Sequence, residues 1–158
     1  MAATVAPPRR RFGSLRRALL VAHIAISVAL LGDVAGFVAV AIRATLLDDP
    51  AAVAAHYDVL AMFSLVFGIP LSFGSLLSGV ALGLVGKWGV LRYWWTIAKL
   101  AIIVSVILVG AFMLGPSVEA QDHTKPIAGA AYDVAVLLVA VWLSVYKPGG
   151  RRSASMRS

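Results

Sequence analysis

The sequence predicts an all-α protein, an antiparallel bundle of four transmembrane helices with both termini in the cytoplasm. Apolar residues make up 61% of the 158 residues and charged residues 13%, against about 45–50% and about 25% in a soluble domain. Four apolar runs are each long enough for a helix to cross the hydrocarbon layer of about 30 Å. Lys and Arg are concentrated in the segments that four crossings would place on one side of the membrane.

A single membrane domain is predicted from residue 18 to residue 146, between two basic tails at 1–17 and 147–158. Each span needs about 20 residues, because a helix rises about 1.5 Å per residue. The spans are predicted at about residues 18–42, 57–85, 93–114 and 128–146.

The first apolar run is broken only by His23 and Asp33. A cleavable signal peptide has an apolar region of only about 7–15 residues, so we interpret this longer run as an uncleaved first span. Pro70 lies within the second run, where it removes a backbone hydrogen bond and predicts a kinked helix. A short basic turn is predicted at 86–92 and a polar loop at 115–127.

The distribution of charge sets the predicted orientation of the bundle. The two tails and the turn at 86–92 contain eleven of the 14 Lys and Arg residues, whereas the connections at 43–56 and 115–127 contain two. Because Lys and Arg are retained on the cytoplasmic side, both termini are predicted to be cytoplasmic. Aromatic residues typical of a membrane interface lie on the same side: Trp88, Tyr93, Trp94, Trp95, Trp142 and Tyr146. The net charge of +7 favours anionic lipid headgroups as a partner, and no motif supports a nucleic-acid partner.

Small residues repeat at a spacing of four, which allows neighbouring helices to approach closely. They are Gly32 and Gly36 in the first span and Ser75, Gly79 and Gly83 in the second. Packing within one chain is the favoured interpretation, and homo-oligomerisation through an unused face is the alternative.

Four ionisable residues lie within the spans, and such residues are expensive at membrane depth. His23 and Lys99 are predicted near the cytoplasmic end, and Asp33 and Asp133 nearer the outer face. His23 can hydrogen-bond across helices and Lys99 can extend its ammonium to the interface. The two carboxylates are expected in one layer, pointing inward, within reach of each other or of a shared partner such as Tyr132 or a serine of the second span. There they would either hydrogen-bond between helices or bind a proton or cation.

Four potential copper ligands are predicted near the outer face: His56, His123, Met62 and Met113. A haem held between two histidines inside the bundle is disfavoured, because only His23 lies in a span and it is near the opposite face. The chain has no cysteine, which excludes thiolate metal sites and Fe–S clusters. No cofactor is therefore predicted, with copper or haem binding at the outer face as a lesser alternative.

Two functional hypotheses follow from these residues. The chain has no nucleophile–base arrangement, P-loop, GxGxxG or HExxH motif, and its loops are too short for a pocket outside the membrane, so an enzyme is not predicted. The favoured hypothesis is a structural or accessory bundle whose buried polar residues hold the helices together. The alternative is a small proton- or cation-coupled transporter that uses Asp33 and Asp133.

The segment 78–102 carries a pattern of small residues, a Trp-Gly turn and W-x-x-x-K-L at the start of the third span. With a His near the start of the first span, this pattern resembles the uncharacterised four-span bacterial integral membrane proteins known as a domain of unknown function. More distantly the chain is similar to CopD-type copper-resistance membrane proteins, which have more spans and more histidines. The resemblance implies a bacterial cytoplasmic membrane and places Lys99 within the family pattern. The matching residues are His23, Gly79, Gly83, Trp88, Gly89, Trp95, Lys99 and Leu100.

Overall fold

The computed structural model describes residues 11–86 and 90–146, and in this part of the chain the regular structure is helical. The predicted tail residues 1–10 and 147–158, and the Trp88-Gly89 turn, lie outside the described residues. Four long helices confirm the predicted all-α four-helix bundle. They are α1 (Arg11–Ala44), α2 (Pro50–Val85), α3 (Trp94–Glu119) and α4 (Lys125–Tyr146).

All four helices are long and apolar enough to cross a membrane. Large apolar side chains also cover their outer surfaces, among them Val21 on α1, Leu84 on α2 and Phe112 on α3. Apolar surface of this extent is suited to lipid rather than water. Together these features indicate a multi-pass membrane protein.

The helices form a closed ring. Helix α1 packs along α2 and α4, and α3 packs against the same two helices. We call the end where α1 begins and α4 ends the terminal end, and the end with the connections 45–49 and 120–124 the loop end. The buried core runs between them and includes Leu30, Phe37 and Leu60.

The two connections at the loop end are shorter than the polar stretches at 43–56 and 115–127 that the sequence predicted. Both following helices begin early because an aspartate caps them. Asp49 accepts hydrogen bonds from the backbone N–H groups of the second and third residues of α2, and Pro50 occupies the first helical position. An acidic cap followed by proline is a strong helix start, even where the residues are not apolar.

Asp122 plays the same part before α4. Its Oδ1 accepts hydrogen bonds from the backbone N–H groups of Thr124 at 2.8 Å and Lys125 at 2.9 Å. Its Oδ2 lies 3.1 Å from the Lys125 ammonium. The backbone N–H groups of Lys125 and Thr124, with the ammonium, lower the pKa of the Asp122 carboxyl to about 2. This carboxylate is half-buried, and both of its oxygens are bonded.

Helices α2 and α3 each contain a π-helical segment, at Phe63–Gly68 and Gly110–Leu114. The residue after each segment donates its backbone N–H to a carbonyl five positions back, from Ile69 to Ser64 and from Gly115 to Gly110. The residue that follows is a proline in both helices. Regular α-helix resumes at Ile69–Val85 and Gly115–Glu119, after Pro50–Met62 and Trp94–Val109 on the other side.

The π-helical segments are the structural consequence of these prolines. Proline has no N–H, so one carbonyl in the preceding turn lacks its helical hydrogen bond. The sequence predicted a distortion at Pro70 but assigned Pro116 to a loop, whereas the structure keeps Pro116 inside helix α3. The two segments contact each other across the bundle, so the irregular parts of α2 and α3 lie at one level.

Candidate functional site

Asp33 of α1 lies against the π-helical segment of α2. A Cβ atom added to Gly68 would lie 3.4 Å from Asp33 Oδ2. About one turn along α1, a Cβ atom on Gly36 would lie 2.9 Å from Cε1 of Phe63, the first residue of the same segment. The absence of a side chain at both glycines therefore allows α1 to approach the segment closely.

Asp133 of α4 lies one turn from a matching contact with α3. A Cβ atom added to Gly129 would lie 2.7 Å from Leu114 Cδ2 and 3.4 Å from Met113 Sδ, and both residues belong to the second π-helical segment. The two segments contact each other, so each aspartate lies within about one turn of a pair of adjoining π-helical segments, on the neighbouring helices α1 and α4. We call this region the carboxylate layer: Asp33, 63–68, 110–114 and Asp133.

Asp133 is buried and Asp33 is half-buried, and neither carboxylate has the expected partner. Asp133 is only 1% exposed, and within the described residues Oδ1 of Asp33 and Oδ1 of Asp133 are buried and accept no hydrogen bond. The prediction that Tyr132 is a shared partner is wrong, because its hydroxyl donates to Ser105 Oγ at 3.1 Å. Tyr132 precedes Asp133 by one residue, so it points about 100° away around α4 and faces α3.

Apolar residues seal each aspartate along its own helix. Leu30 and Phe37 lie one turn before and after Asp33, and Ala130 and Leu137 flank Asp133 in the same way. All four flanking side chains are buried. An ionised carboxylate in such surroundings is costly without a partner, and two are costlier still. The layer is therefore suited to holding a proton.

His23 is bonded to α2 near the terminal end. Its Nδ1 lies 2.8 Å from Ser78 Oγ, and Ser78 Oγ itself donates to the Gly74 carbonyl at 2.6 Å. We assign the hydrogen to Nδ1, which donates it to Ser78, because the single hydroxyl hydrogen of Ser78 is directed to the Gly74 carbonyl. The other ring nitrogen, Nε2, is then a free proton acceptor.

The small residues predicted for helix packing serve contacts within the chain. A Cβ atom on Gly79 would lie 3.2 Å from His23 Cε1, and one on Gly83 would lie 2.7 Å from Val90 Cγ2. Ser75 Oγ lies 3.2 Å from Ser27 Oγ of α1. Gly32 differs from these, because it is exposed and a Cβ atom there would meet nothing within 4 Å.

Lys99 is bonded to α4 rather than extended alone to the interface. Its Nζ donates to Ser144 Oγ at 3.0 Å and lies 5.3 Å from the centroid of the Trp95 ring. Its charge also acts on the imidazole of His23, so both basic groups lie in the terminal half of the bundle. Interfacial aromatic rings pair at the same end, with Trp142 and Tyr146 centroids 5.3 Å apart.

The four potential copper ligands have separate surroundings. His56 donates from Nδ1 to the Ala52 carbonyl of its own helix at 2.8 Å. His123 lies edge-on to Tyr57, with Nδ1 3.4 Å from the tyrosine hydroxyl. Met62 is exposed on the surface of α2, and Met113 packs beside Gly129. Over residues 11–86 and 90–146, no three His, Asp or Glu side chains are grouped as metal ligands.

Comparison of the chain with protein-family models, with curated proteins and with solved structures gave no match. The carboxylate layer and the residues around it are therefore the features of this protein that point to a function.

Proposed function

We propose that this is a small, non-enzymatic protein of the bacterial cytoplasmic membrane that moves protons through Asp33 and Asp133. The Lys- and Arg-rich tails support an orientation with both termini in the cytoplasm. The resemblance to the four-span bacterial family supports the choice of membrane. In this orientation the terminal end faces the cytoplasm and the loop end faces outward.

One observation carries the proposal. Asp33 Oδ1 and Asp133 Oδ1 are buried and accept no hydrogen bond from the described residues. A polar residue kept only to hold helices together would be bonded to a neighbouring helix, as His23 and Lys99 are. The two aspartates contribute no such bond, so their burial is a cost to stability that a transport function explains.

The surroundings favour a proton over a larger cation. A metal cation needs several oxygen ligands to replace its water shell, about six or more for Ca²⁺. Each aspartate is instead flanked by buried apolar side chains on its own helix. A proton needs only one carboxylate oxygen, and each aspartate has a buried oxygen that accepts no hydrogen bond from the described residues.

Proton flux into liposomes tests the proposal. Purified protein is reconstituted with a pH-sensitive dye trapped inside, and an inward proton flux is driven by a valinomycin-clamped potassium gradient. We expect Asp33→Asn and Asp133→Asn each to lower the flux at least 10-fold, because an amide keeps the shape of the side chain but binds no proton. Asp58→Asn is the matched control, since Asp58 is an exposed carboxylate on α2.

Each variant must first elute as a single species and unfold at a temperature close to that of the unmodified protein. Flux at the unmodified level in the Asp33→Asn, Asp133→Asn double variant would overturn the proposal. The accessory-bundle hypothesis would then be preferred, and the interhelical bonds of His23 and Lys99 would be its support.

A further inference from the structure

A row of buried and half-buried polar groups leads from the terminal end towards Asp33, between α1 and α2. We call it the polar seam: His23 and Ser27 on α1, and Ser72, Ser75 and Ser78 on α2. Two interhelical hydrogen bonds join its sides, His23 to Ser78 at 2.8 Å and Ser27 to Ser75 at 3.2 Å. Ser72 and Ser75 are buried.

The interface between α3 and α4 has polar groups of a different kind. Its two interhelical bonds, Lys99 to Ser144 and Tyr132 to Ser105, are both on the exposed surface of the bundle. Neither bond involves a carboxylate of the layer. The polar seam therefore differs from this interface, because its interhelical bonds are partly buried and it leads to a carboxylate of the layer.

The spacing of the seam suits stepwise proton transfer. Ser78, Ser75, Ser72 and Gly68 follow one another at three or four residues, a rise of about 4.5–6 Å per step. A single bridging water spans such a step between two hydroxyl groups. The last position is Gly68, and Asp33 Oδ2 lies 3.4 Å from where a Cβ atom of that glycine would be.

His23 supplies an imidazole, which can carry the charge of a proton near neutral pH as a serine hydroxyl group cannot. Its Nδ1 donates to Ser78, which leaves Nε2 to accept a proton from the terminal end. Imidazole can take a proton on one nitrogen and release one from the other, and so passes on a charge with a change of tautomer. Serine hydroxyl groups then accept one hydrogen as they release another.

We infer that protons travel between the terminal end and Asp33 along the polar seam, with His23 as the entry group. The inference rests on the proposed function and names its route. In each step one N–H or O–H bond forms as another breaks, and the proton's charge ends on Asp33, which becomes neutral. Each transfer leaves the hydrogen of His23 on Nε2 in place of Nδ1, so the imidazole must change tautomer, by exchange of hydrogens with water or by ring rotation, before it takes up the next proton.

The same liposome flux assay tests the route with variants of the seam. We expect His23→Gln to lower the flux at least 10-fold, because glutamine keeps a donor for Ser78 but cannot pass a proton through the side chain. His23→Ala should lose flux to the same extent and recover it when imidazole is added, because the small molecule replaces the missing relay. The Ser27→Ala, Ser75→Ala double variant should also lose flux.

Ser105→Ala is the matched control, since it removes an interhelical hydroxyl contact outside the seam, and its flux should be unchanged. The route is wrong if His23→Gln keeps unmodified flux, or if imidazole fails to restore His23→Ala protein that is still folded. The Asp33→Asn variant separates the two claims. If it blocks flux while the seam variants conduct normally, only the route fails; if it conducts normally, the proposed function fails.

Discussion

The basic residues of the terminal half and the aspartates of the carboxylate layer have opposite surroundings. In the terminal half the helices are regular, and His23 and Lys99 are each bonded to a serine on a neighbouring helix. In the carboxylate layer two helices turn π-helical, and each aspartate has a buried oxygen that accepts no hydrogen bond from the described residues. Bonded polar groups hold helices together in lipid, whereas unpaired ones lower stability and call for a functional explanation.

The largest effect on stability is expected at Gly83 in the terminal half, where the absence of a side chain allows a close contact with Val90. Gly83→Ala would place its Cβ 2.7 Å from Val90 Cγ2 and 3.2 Å from the Val90 backbone Cα. We expect the free energy of unfolding to fall by about 1–3 kcal/mol, as in other overpacked sites. Thermal unfolding or SDS titration in detergent micelles measures the change.

Gly32→Ala is the control for this substitution, because Gly32 lies at the level of Asp33 with open space around it. Alanine there should raise the free energy of unfolding by about 0.5–1 kcal/mol, through its better helix propensity. Equal losses at Gly32 and Gly83 would show that the loss at Gly83 does not come from its contact with Val90.

A smaller effect, present in the terminal half and absent in the carboxylate layer, is expected from removing polar groups. Ser144→Ala takes away the acceptor of Lys99 and should lower the free energy of unfolding by about 0.6 kcal/mol, an average interhelical hydrogen bond in a membrane. Asp133→Asn should not lower it, because Asp133 Oδ1 has no bond to lose. A loss of stability in Asp133→Asn greater than in Ser144→Ala would contradict the contrast between the two regions.

The smallest effect is expected at Asp122, the bonded carboxylate outside the membrane. Its pKa of about 2 is below the ordinary value of about 3.9, so its stabilisation is present above about pH 4 and is lost as pH falls towards 2. Asp122→Asn should speed amide hydrogen exchange at Thr124 and Lys125 several-fold at neutral pH, because the cap is weakened.

The difference in amide exchange between the variant and the unmodified protein should shrink below about pH 2, because Asp122 is then protonated in both the folded and the unfolded protein. Asp58→Asn, which changes an exposed carboxylate within α2, should leave exchange in the 120–124 connection unchanged. An Asp122→Asn effect that persists undiminished in acid would mean that charge is not what holds this cap.

Much of this arrangement could be predicted from periodicity and hydropathy, because the number and order of helices follow from apolar runs. The position of Asp33 and Asp133 in the same part of the bundle follows from counting residues along antiparallel helices. The π-helical segment before Pro116 was not predicted, because hydropathy assigns a proline among polar residues to a loop. That Tyr132 is not a partner of the aspartates could not be predicted either, because the direction in which Tyr132 points depends on how α4 is rotated against α3.

The four helices also differ in length, and the bilayer must adapt to this. Helices α1 and α2 contain 34 and 36 residues, and α3 and α4 contain 26 and 22, lengths of about 51–54 Å against about 33–39 Å. The Tyr57 hydroxyl donates to the Asp122 carbonyl, so the shorter pair ends level with Tyr57 while the α1–α2 hairpin continues beyond it. Exposed Leu15 and Leu46 lie near opposite ends of that hairpin. The apolar surface on that side of the bundle is therefore longer than on the other side. This hydrophobic mismatch favours a tilted bundle in a membrane of ordinary thickness. In a thicker membrane it favours a more upright bundle.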